Sequence, residues 1–410
     1  MAILKRLLFV SALVMLSVQA SGTSDSLRFS VRGSVRDAAT GRPLDVVSVS
    51  IPGTTYATVT NADGTFLIKS DVEPAFVSFS LLGYNSRTLP YAGDEPMRVR
   101  MERGDLELDA ASVVSGDPLS LLRYAISMIE ANSPGEAELF DCFYRETVRK
   151  RQRFIYVSEA VTKVYKPSAS SRGRDRAAVV KSRLLTSPRP SDTLGVKVVG
   201  GPAMAADLDI VRTRSILLDE TQLSLYGFEL MPSDMIDGRP QFVIRFYPAA
   251  ERPFALQKGF IYIDRETFAF SRIQTSLDVS DKDKATDAML ISKPLGLRFT
   301  PKEMSLVLDY RQEGGKCRLG YLRTEFRFGC DWRRRLLATD YTVVSEMVVT
   351  GRHSGSAAVP VSRSEAFGSK VSLADKAAVY ADPGFWDDYN IIEPTSSLEH
   401  AVERLKKQNR

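Results

Sequence analysis

Two histidines limit the metal chemistry open to this chain. His400 and Glu403 have a spacing that would place them on one face of a helix, as in a zinc site with His and Glu ligands. Such a site needs a further histidine, and none follows within the seven residues after Glu403. His353 lies in a segment rich in glycine and serine. The sequence therefore predicts no metal site and no bound cofactor.

Hydrolysis through an activated serine or cysteine also lacks a supporting pattern. The G-x-S-x-G sequence of a nucleophile elbow does not occur, and a Ser-His-Asp triad would have to use one of the two histidines. Two carboxylates can act together as general acid and base. The candidate pairs are Asp207 with Asp209 and Asp387 with Asp388. We expect a protein that is not an enzyme, with a carboxylate-based hydrolase as the alternative.

Two loops have the beginnings of ligand-binding motifs. Gly314–Cys317 is similar to the end of a phosphate-binding loop, but Tyr310 stands where that loop requires glycine. Asn61–Gly64 begins like a calcium loop and lacks the alternating ligands that should follow. Both segments are typical of hairpin turns, and we predict turns at both.

A basic run is the main charge feature of the chain. Residues 145–189 contain thirteen Lys and Arg against three acids. Such a run either forms a solvated strand face with a flexible loop or binds an anionic partner, such as a lipid phosphate or an acidic glycan. The candidate anion-binding residues are Arg149, Lys150, Arg151, Arg153, Arg172, Arg174 and Arg176.

Aromatic residues and cysteines supply the remaining candidates. Phe385, Trp386 and Tyr389 could dock a protein or a sugar, or could pin the C-terminal segment to the rest of the chain. Cys317 and Cys330 lie in one β-rich region and form the candidate disulfide, with simple burial of both thiols as the alternative. Neither set indicates a reaction.

The N-terminal residues have the pattern of an export signal. Residues 1–20 combine Lys5 and Arg6 with an apolar stretch and then small residues before Ser21. This predicts a cleaved signal peptide and an exported, periplasmic protein. The apolar stretch is shorter than the roughly 20 residues that span a bilayer. Without Lys5 and Arg6 the net charge falls from +5 to +3, which argues against a nucleic-acid partner.

Residues 27–102 alternate apolar and polar residues in short runs separated by turns, which predicts a small β-sandwich. Its turns and core positions resemble the carboxypeptidase-regulatory-like domain, and the resemblance rests on Gly33–Asp37, Thr40–Leu44, Val47–Ile51, Asn61–Phe66 and Gly83–Tyr84. The resemblance implies a seven-stranded, prealbumin-like sandwich. That family is an accessory module, so the resemblance implies no activity.

The rest of the chain divides into three parts. Residues 103–134 predict a linker and a helix that begins at Pro118. Strand-like runs separated by turns fill residues 138–350, which predicts a large antiparallel β-rich domain, with a half-barrel wrapped around a helix as one form. Residues 351–410 predict a segment with the aromatic motif and a terminal helix. The predicted fold class is mainly β with a few helices.

A second resemblance covers most of the chain. Phe385–Pro394, together with Phe143–Thr147, Ser158–Ala160 and Ile263–Asp264, resembles a group of Bacteroidetes-type envelope proteins in which the regulatory-like domain precedes an uncharacterised β-rich region. This implies an address in the cell envelope and no known reaction.

We therefore expect a non-catalytic envelope binding or scaffold protein. Its partner would be an envelope protein, a glycan or a lipid, and its β-rich domain would carry a lipid or lipoprotein ligand. Peripheral association with the outer membrane fits this expectation. The alternative is a hydrolase of envelope polymers that uses paired carboxylates.

Overall fold

The computed structural model describes residues 27–91, 93, 95–104, 117–168, 171, 173–192, 194–198, 200–332, 339–368, 371–382 and 389–408. The predicted signal peptide lies outside these residues. Within the described part of the chain, no helix is both long enough and apolar enough to cross a membrane.

Seven short strands form the N-terminal sandwich: β1 (Phe29–Asp37), β2 (Ser48–Ser50), β3 (Ala57–Val59), β4 (Thr65–Ser70), β5 (Phe76–Ser80), β6 (Arg87–Pro90) and β7 (Met97–Met101). They make two sheets with the orders β4-β1-β7 and β3-β2-β5-β6. Their facing side chains form one buried core that includes Val31, Phe66 and Phe79. The prediction of a seven-stranded sandwich is confirmed. β6 has no alternating pattern because it is a largely exposed edge strand.

The predicted turn at Asn61–Gly64 is also confirmed. The side-chain oxygen of Asn61 accepts hydrogen bonds from the backbone N–H groups of Asp63 and Thr65, both at 3.0 Å. Gly64 adopts a positive φ of 75°. These are the features of an Asx-stabilised turn, in which Asn caps the local backbone and glycine takes the left-handed position.

A ten-stranded antiparallel sheet follows, with the order β10-β9-β8-β19-β18-β17-β15-β14-β13-β12. Its strands are β8 (Glu138–Lys150), β9 (Arg153–Lys166), β10 (Arg176–Thr186), β12 (Tyr226–Ile236), β13 (Arg239–Pro248), β14 (Gln257–Asp264), β15 (Phe270–Leu277), β17 (Leu297–Glu313), β18 (Lys316–Trp332) and β19 (Thr339–Ser354). β11 (Lys197–Val198) and β16 (Leu290–Ser292) form a separate pair. Neighbouring strands mostly follow each other by hairpins, and the pairing of β8 with β19 joins the two ends of the segment.

The sheet is open, with β10 and β12 at its edges. The predicted strands between residues 140 and 350 lie within observed strands, except that the strand predicted from Phe268 begins at Phe270. The two edge strands were not predicted. β12 contains Pro232, which cannot donate a ladder hydrogen bond and is tolerated at an edge. β10 directly follows the Ser/Arg-rich stretch, so its alternating apolar and polar residues are hard to distinguish from that polar loop in the sequence.

Helices cover one face of the ten-stranded sheet, which we call the helix face. They are α1 (Pro118–Ser127), α2 (Ile129–Asn132), α3 (Pro202–Asp207), α4 (Ile210–Thr213), α5 (Lys282–Met289) and α6 (Leu373–Lys376). A further helix, α7 (Ser396–Gln408), packs on the opposite face. α1 begins as predicted, because the Asp117 side chain accepts from the N–H groups of Leu119 and Ser120 and Pro118 occupies the first turn. A single apolar cluster joins α1, α3 and α4 to strands from both edges of the sheet.

The N-terminal sandwich packs on the opposite face, which we call the sandwich face. Side chains alternate along β8, so Tyr144 points to the helix face and Phe143 to the sandwich face. Phe143 packs there with Val59 of β3 and with Ile392 near the C-terminus. The sheet is therefore buried on both faces along these central strands.

Candidate functional site

A pocket opens on the helix face at the end of the sheet where β8 begins and β9 ends, which we call the pocket end. The pocket is open to solvent and has a cavity volume of about 50 Å³. Apolar side chains from α2, β8, β15 and β18 form much of its wall, among them Ile129, Phe140, Phe270 and Leu319. The loop after α2 adds Ser133 and Pro134. A mostly apolar wall with a few polar groups is the lining typical of a small-ligand site.

Lys166, the last residue of β9, lies at the bottom of this pocket and is 7% exposed. Its Nζ donates to Asp209 Oδ2 at 2.6 Å and lies 3.2 Å from Asp175 Oδ2. Burial disfavours the charged form of Lys166, but the carboxylates of Asp209 and Asp175 outweigh this, so the pKa of Lys166 is raised above its ordinary value. The amino group of Lys166 is therefore protonated and positively charged at neutral pH.

Asp209 is positioned by its place at the start of α4. Its Oδ1 accepts from the backbone N–H of Arg212 at 3.2 Å, as a helix N-cap does, and from the Tyr310 hydroxyl at 2.9 Å. Arg212 in turn pairs with Asp175 at 3.2 Å. Two cations thus face two carboxylates, and this group of Lys166, Arg212, Asp175 and Asp209 is called the Lys166 cluster.

A second charged group lies at the start of β8. Glu138 accepts from Arg318 Nε at 2.9 Å and from Arg352 Nη1 at 2.9 Å. Arg352 also pairs with Glu313 at 3.1 Å. This group of Glu138, Glu313, Arg318 and Arg352, called the Glu138 cluster, again has two charges of each sign. The pocket lining itself has three cations and three carboxylates: Lys166, Arg212, Arg318, Glu136, Glu138 and Asp209, of which Glu136 is exposed.

Two further titratable groups of the pocket, Tyr310 and Cys317, are held in their neutral forms. Burial, followed by the charge of Asp209, raises the pKa of the Tyr310 hydroxyl well above its ordinary value. Burial raises the pKa of the Cys317 thiol to about 12, and its Sγ donates to the Phe270 carbonyl at 3.0 Å. A nucleophile needs the opposite shift, towards the thiolate or phenolate. The arrangement suits holding a ligand and offers no activated nucleophile among these groups.

One pattern in the sequence points to Lys166. Ala160, Thr162 and Val164 alternate on the helix face of β9, and Lys166 is the next residue on that face. A lysine that continues a buried apolar stripe needs a counter-charge. The sequence does not show which carboxylates supply it, because Asp209 lies 43 residues away.

The candidate anion-binding residues separate into two groups. Arg149, Lys150, Arg151 and Arg153 lie where β8 turns into β9, whereas Arg174 and Arg176 lie near the other end of β9. With about 3.3 Å of rise per residue, the 14 residues of β9 separate these groups by roughly 45 Å. Arg176 donates to the Val361 carbonyl at 3.0 Å. Arg172 lies outside the described residues, and anion binding by the run remains a prediction.

The other candidates are placed as follows. Phe385 and Trp386 lie outside the described residues, as do Asp387 and Asp388. The Tyr389 ring lies 5.9 Å from Lys181 Nζ of β10.

The two histidines take no part in the pocket's charged clusters, although His353 follows Arg352 on β19. His353 Nε2 lies 2.6 Å from Asp141 Oδ2 on the sandwich side of β19 and β8, and His400 is exposed on α7. The predicted hydrolase pair is not a free pair either: Asp207 is exposed, and Asp209 is engaged by Lys166.

The candidate disulfide is wrong. Cys317 and Cys330 lie on the same strand, β18, thirteen residues apart, and both are free. At about 3.3 Å per residue their Cα atoms are about 40 Å apart, whereas a disulfide requires less than about 7 Å. The alternative, burial of free thiols, is what the structure shows for Cys330, and Cys317 is half-buried.

A segment near the C-terminus holds the sandwich against the sheet. Residues 390–396, which we call the clasp, lie between the sandwich and the sandwich face. The Asn390 amide exchanges two hydrogen bonds with the backbone of Lys69, at 2.5 and 2.9 Å, and so completes edge strand β4. Arg145 Nη2 donates to the Ile392 carbonyl at 2.6 Å.

The turn of the sandwich supplies the other half of the clasp contacts. Asn61 Nδ2 donates to the carbonyls of Glu393 and Pro394, both at 3.0 Å. Asp63 Oδ2 accepts from the N–H of Ser396 at 2.7 Å and thereby caps α7. The Asn61–Gly64 turn therefore helps to hold the clasp and α7 against the sandwich.

Comparisons with solved structures found only distant likenesses. They include an outer-membrane lipoprotein-sorting protein domain assigned in Vibrio parahaemolyticus (10% identity, 59% of this chain and 94% of that chain, TM-score 0.26). They also include a LolA superfamily protein from Nitrosomonas europaea (12% identity, 57% and 94%, TM-score 0.20) and a membrane-associated protein of unknown function from Bacteroides fragilis (10% identity, 79% and 98%, TM-score 0.15). At TM-scores this low, the likenesses assign neither a fold nor a function to this chain.

The sequence comparisons bear on the N-terminal part alone. No curated protein matches the chain. Residues 31–114 match the family model of the CarboxypepD_reg-like domain, which confirms the resemblance that the turns and core positions of the sandwich had indicated.

Proposed function

We propose that the chain is an exported, non-catalytic binding protein of the cell envelope, and that its pocket takes the apolar part of a lipid-like ligand. The observation that carries this proposal is the pocket itself, in which an apolar wall surrounds charged groups that are already paired with each other. The export signal predicted for residues 1–20 supports the envelope address.

The charge balance of the pocket narrows the class of ligand. The Lys166 cluster and the Glu138 cluster each contain two cations and two carboxylates in contact. A strongly charged ligand would have to break one of these buried pairs, which leaves an unpaired charge at a cost of several kcal/mol. The pocket therefore favours a ligand whose polar end is uncharged or zwitterionic.

The protonation states support binding over catalysis. The shifts at Lys166, Tyr310 and Cys317 all favour the protonated form. A general base or nucleophile would need the deprotonated form near neutral pH. The carboxylates, Glu138 and Asp209, are each committed to a cation.

A pair of tryptophan substitutions tests the site. Ser133 is half-buried at the pocket wall, so Ser133→Trp should fill the space, whereas Ser127 is exposed on α1 and Ser127→Trp should leave the pocket open. We expect the wild-type chain and Ser127→Trp to bind a fluorescent acyl-chain probe. Ser133→Trp should bind the same probe at least tenfold more weakly, a loss of about 1.4 kcal/mol in binding free energy. Monoacylglycerol should displace the probe better than a fatty acid of equal chain length.

Two results would contradict the proposal. The first is equal probe binding by both tryptophan variants, because the probe would then lie elsewhere on the chain. The second is stronger displacement by the fatty acid, because an anionic ligand does not fit the balanced charges.

A further inference from the structure

A basic groove lies at the end of the sheet opposite the pocket, which we call the hairpin end. Lys150, Arg151, Gln152 and Arg153, in and beside the β8–β9 turn, line it together with Thr339 and Arg404. The groove has a volume of about 570 Å³ and is open to solvent. The twelve residues from Glu138 to Lys150 place it about 40 Å from the pocket.

Positive charge exceeds negative charge in this groove. Lys150 and Arg153 share one carboxylate, Asp192, at 3.9 and 2.5 Å. Arg151 occupies the turn with a φ of 56° and its side chain is exposed. Arg404 is exposed on α7, and neither it nor Arg151 has an ion pair with another described residue. The groove thus has four cations against one acid in contact.

An exposed apolar turn lies at the same end of the sheet. Leu295, between β16 and β17, is fully exposed, and Ile291 is 41% exposed. β17 starts at Leu297, opposite the end of β18, and the start of β19 pairs with the end of β8 at Lys150. The pairing puts Lys150 level with Pro301 of β17, three strand spacings of about 4.8 Å or roughly 14 Å away. Leu297 lies four residues, or roughly 13 Å, beyond Pro301, so roughly 20 Å separate the start of β17 from Lys150.

We propose that the hairpin end docks on a lipid surface that carries anionic headgroups. Arg151, Arg404 and the partly paired Lys150 and Arg153 would face the headgroups, and the Leu295 turn would enter the interface. Basic side chains beside an exposed apolar residue are the combination that binds anionic membrane surfaces. This orientation leaves the pocket end directed away from the membrane. The proposal does not depend on the pocket having a ligand.

Sedimentation of the full chain with vesicles tests this docking. We expect binding to phosphatidylcholine vesicles that contain phosphatidylglycerol, weaker binding at high salt, and no binding to phosphatidylcholine alone. Each Lys or Arg near an anionic surface strengthens binding about fivefold, so R151E/R404E should weaken it about 25-fold or more. L295D should weaken binding as well.

Matched variants make the test specific. R98E/R363E changes the net charge equally at exposed positions away from the groove, and V359D places an acid at a position that is 63% exposed. We expect near-unchanged binding for both controls. The proposal is overturned if the unchanged chain does not sediment with the anionic vesicles. It is also overturned if R98E/R363E weakens binding as much as R151E/R404E, or if L295D binds as well as V359D.

Discussion

Removal of one side chain, Asn390, should loosen the clasp without unfolding the sheet. The amide of Asn390 is 5% exposed and makes two hydrogen bonds to the backbone of Lys69 on β4. Asn390→Ala removes both bonds and leaves a backbone donor and a backbone acceptor of edge strand β4 without this partner. The clasp is the part of the chain that should respond, because it has no regular ladder of its own.

The size of the effect follows from the two lost bonds. Each net hydrogen bond contributes about 1 kcal/mol, and a buried group left unpaired costs about 1 to 3 kcal/mol. We therefore expect Asn390→Ala to lower the free energy of local opening of residues 390–396 by about 2 to 4 kcal/mol. Because 1.4 kcal/mol is a factor of ten, amide exchange in this segment should become about 30-fold faster or more.

Hydrogen–deuterium exchange with mass spectrometry measures this directly. Asn132→Ala is the control, since Asn132 makes a single amide hydrogen bond, to the Thr267 carbonyl, on the helix face. Exchange should speed up in peptides that cover the clasp and β4 in the Asn390 variant, and should stay unchanged there in the Asn132 variant. Unchanged exchange in the Asn390 variant, or equal acceleration in both, would refute the clasp.

Three further predictions concern charge and burial. Lys166→Met should lower the free energy of unfolding by about 3 to 5 kcal/mol, because it leaves the buried Asp209 carboxylate without its cation. The control, Lys197→Met, breaks an exposed ion pair with Asp375 and should cost less than about 1 kcal/mol. Urea unfolding measures both values. Hydrogen bonds from the Thr40 backbone and then the Tyr84 hydroxyl lower the pKa of Asp37 from 3.8 to about 2. Because the folded state favours the ionised form of Asp37, this carboxylate stabilises the fold above pH 3.8, and the stabilisation is lost as the pH falls towards 2. The melting temperature of the wild-type chain should therefore fall over this pH range, and that of Asp37→Asn should fall less. Equal slopes of melting temperature against pH in the two proteins would contradict this prediction. Burial raises the pKa of both the Cys317 and Cys330 thiols to about 12. A thiol reagent at neutral pH should therefore label these two cysteines only after the chain unfolds. Rapid labelling of either cysteine in the native chain would contradict this prediction.

Local patterns in the sequence predict those parts of the fold that local interactions determine. The turn at Asn61–Gly64 is an example, because one side chain and one glycine within five residues fix its backbone. Strand β5 is another, since buried Val77 and Phe79 alternate with Ser78 and Ser80. The edge strand β12 escapes this approach because it contains Pro232 and few buried residues, and its pairing with β13 keeps it in the sheet.

The pocket could not be predicted because its parts come from distant segments. Lys166 meets Asp209 and Tyr310 only after β9, α4 and β17 have packed together. The clasp has the same origin, since Asn390 contacts Lys69 across 321 residues. The basic run of residues 145–189 shows that nearness in sequence does not ensure nearness in the fold. Its residues are close in sequence, but an extended strand separates them, so one apparent patch becomes two groups at opposite ends of the sheet.

Native mass spectrometry of the chain, purified without detergent from cells that export it, tests the central claim of a ligand-binding pocket most directly. We predict an adduct with the mass of one lipid-like molecule per chain, uncharged or zwitterionic at its polar end. The adduct should persist in Ser127→Trp and disappear in Ser133→Trp, because only Ser133 lies at the pocket wall. A chain without any adduct, or an adduct that Ser133→Trp retains in full, would contradict this account.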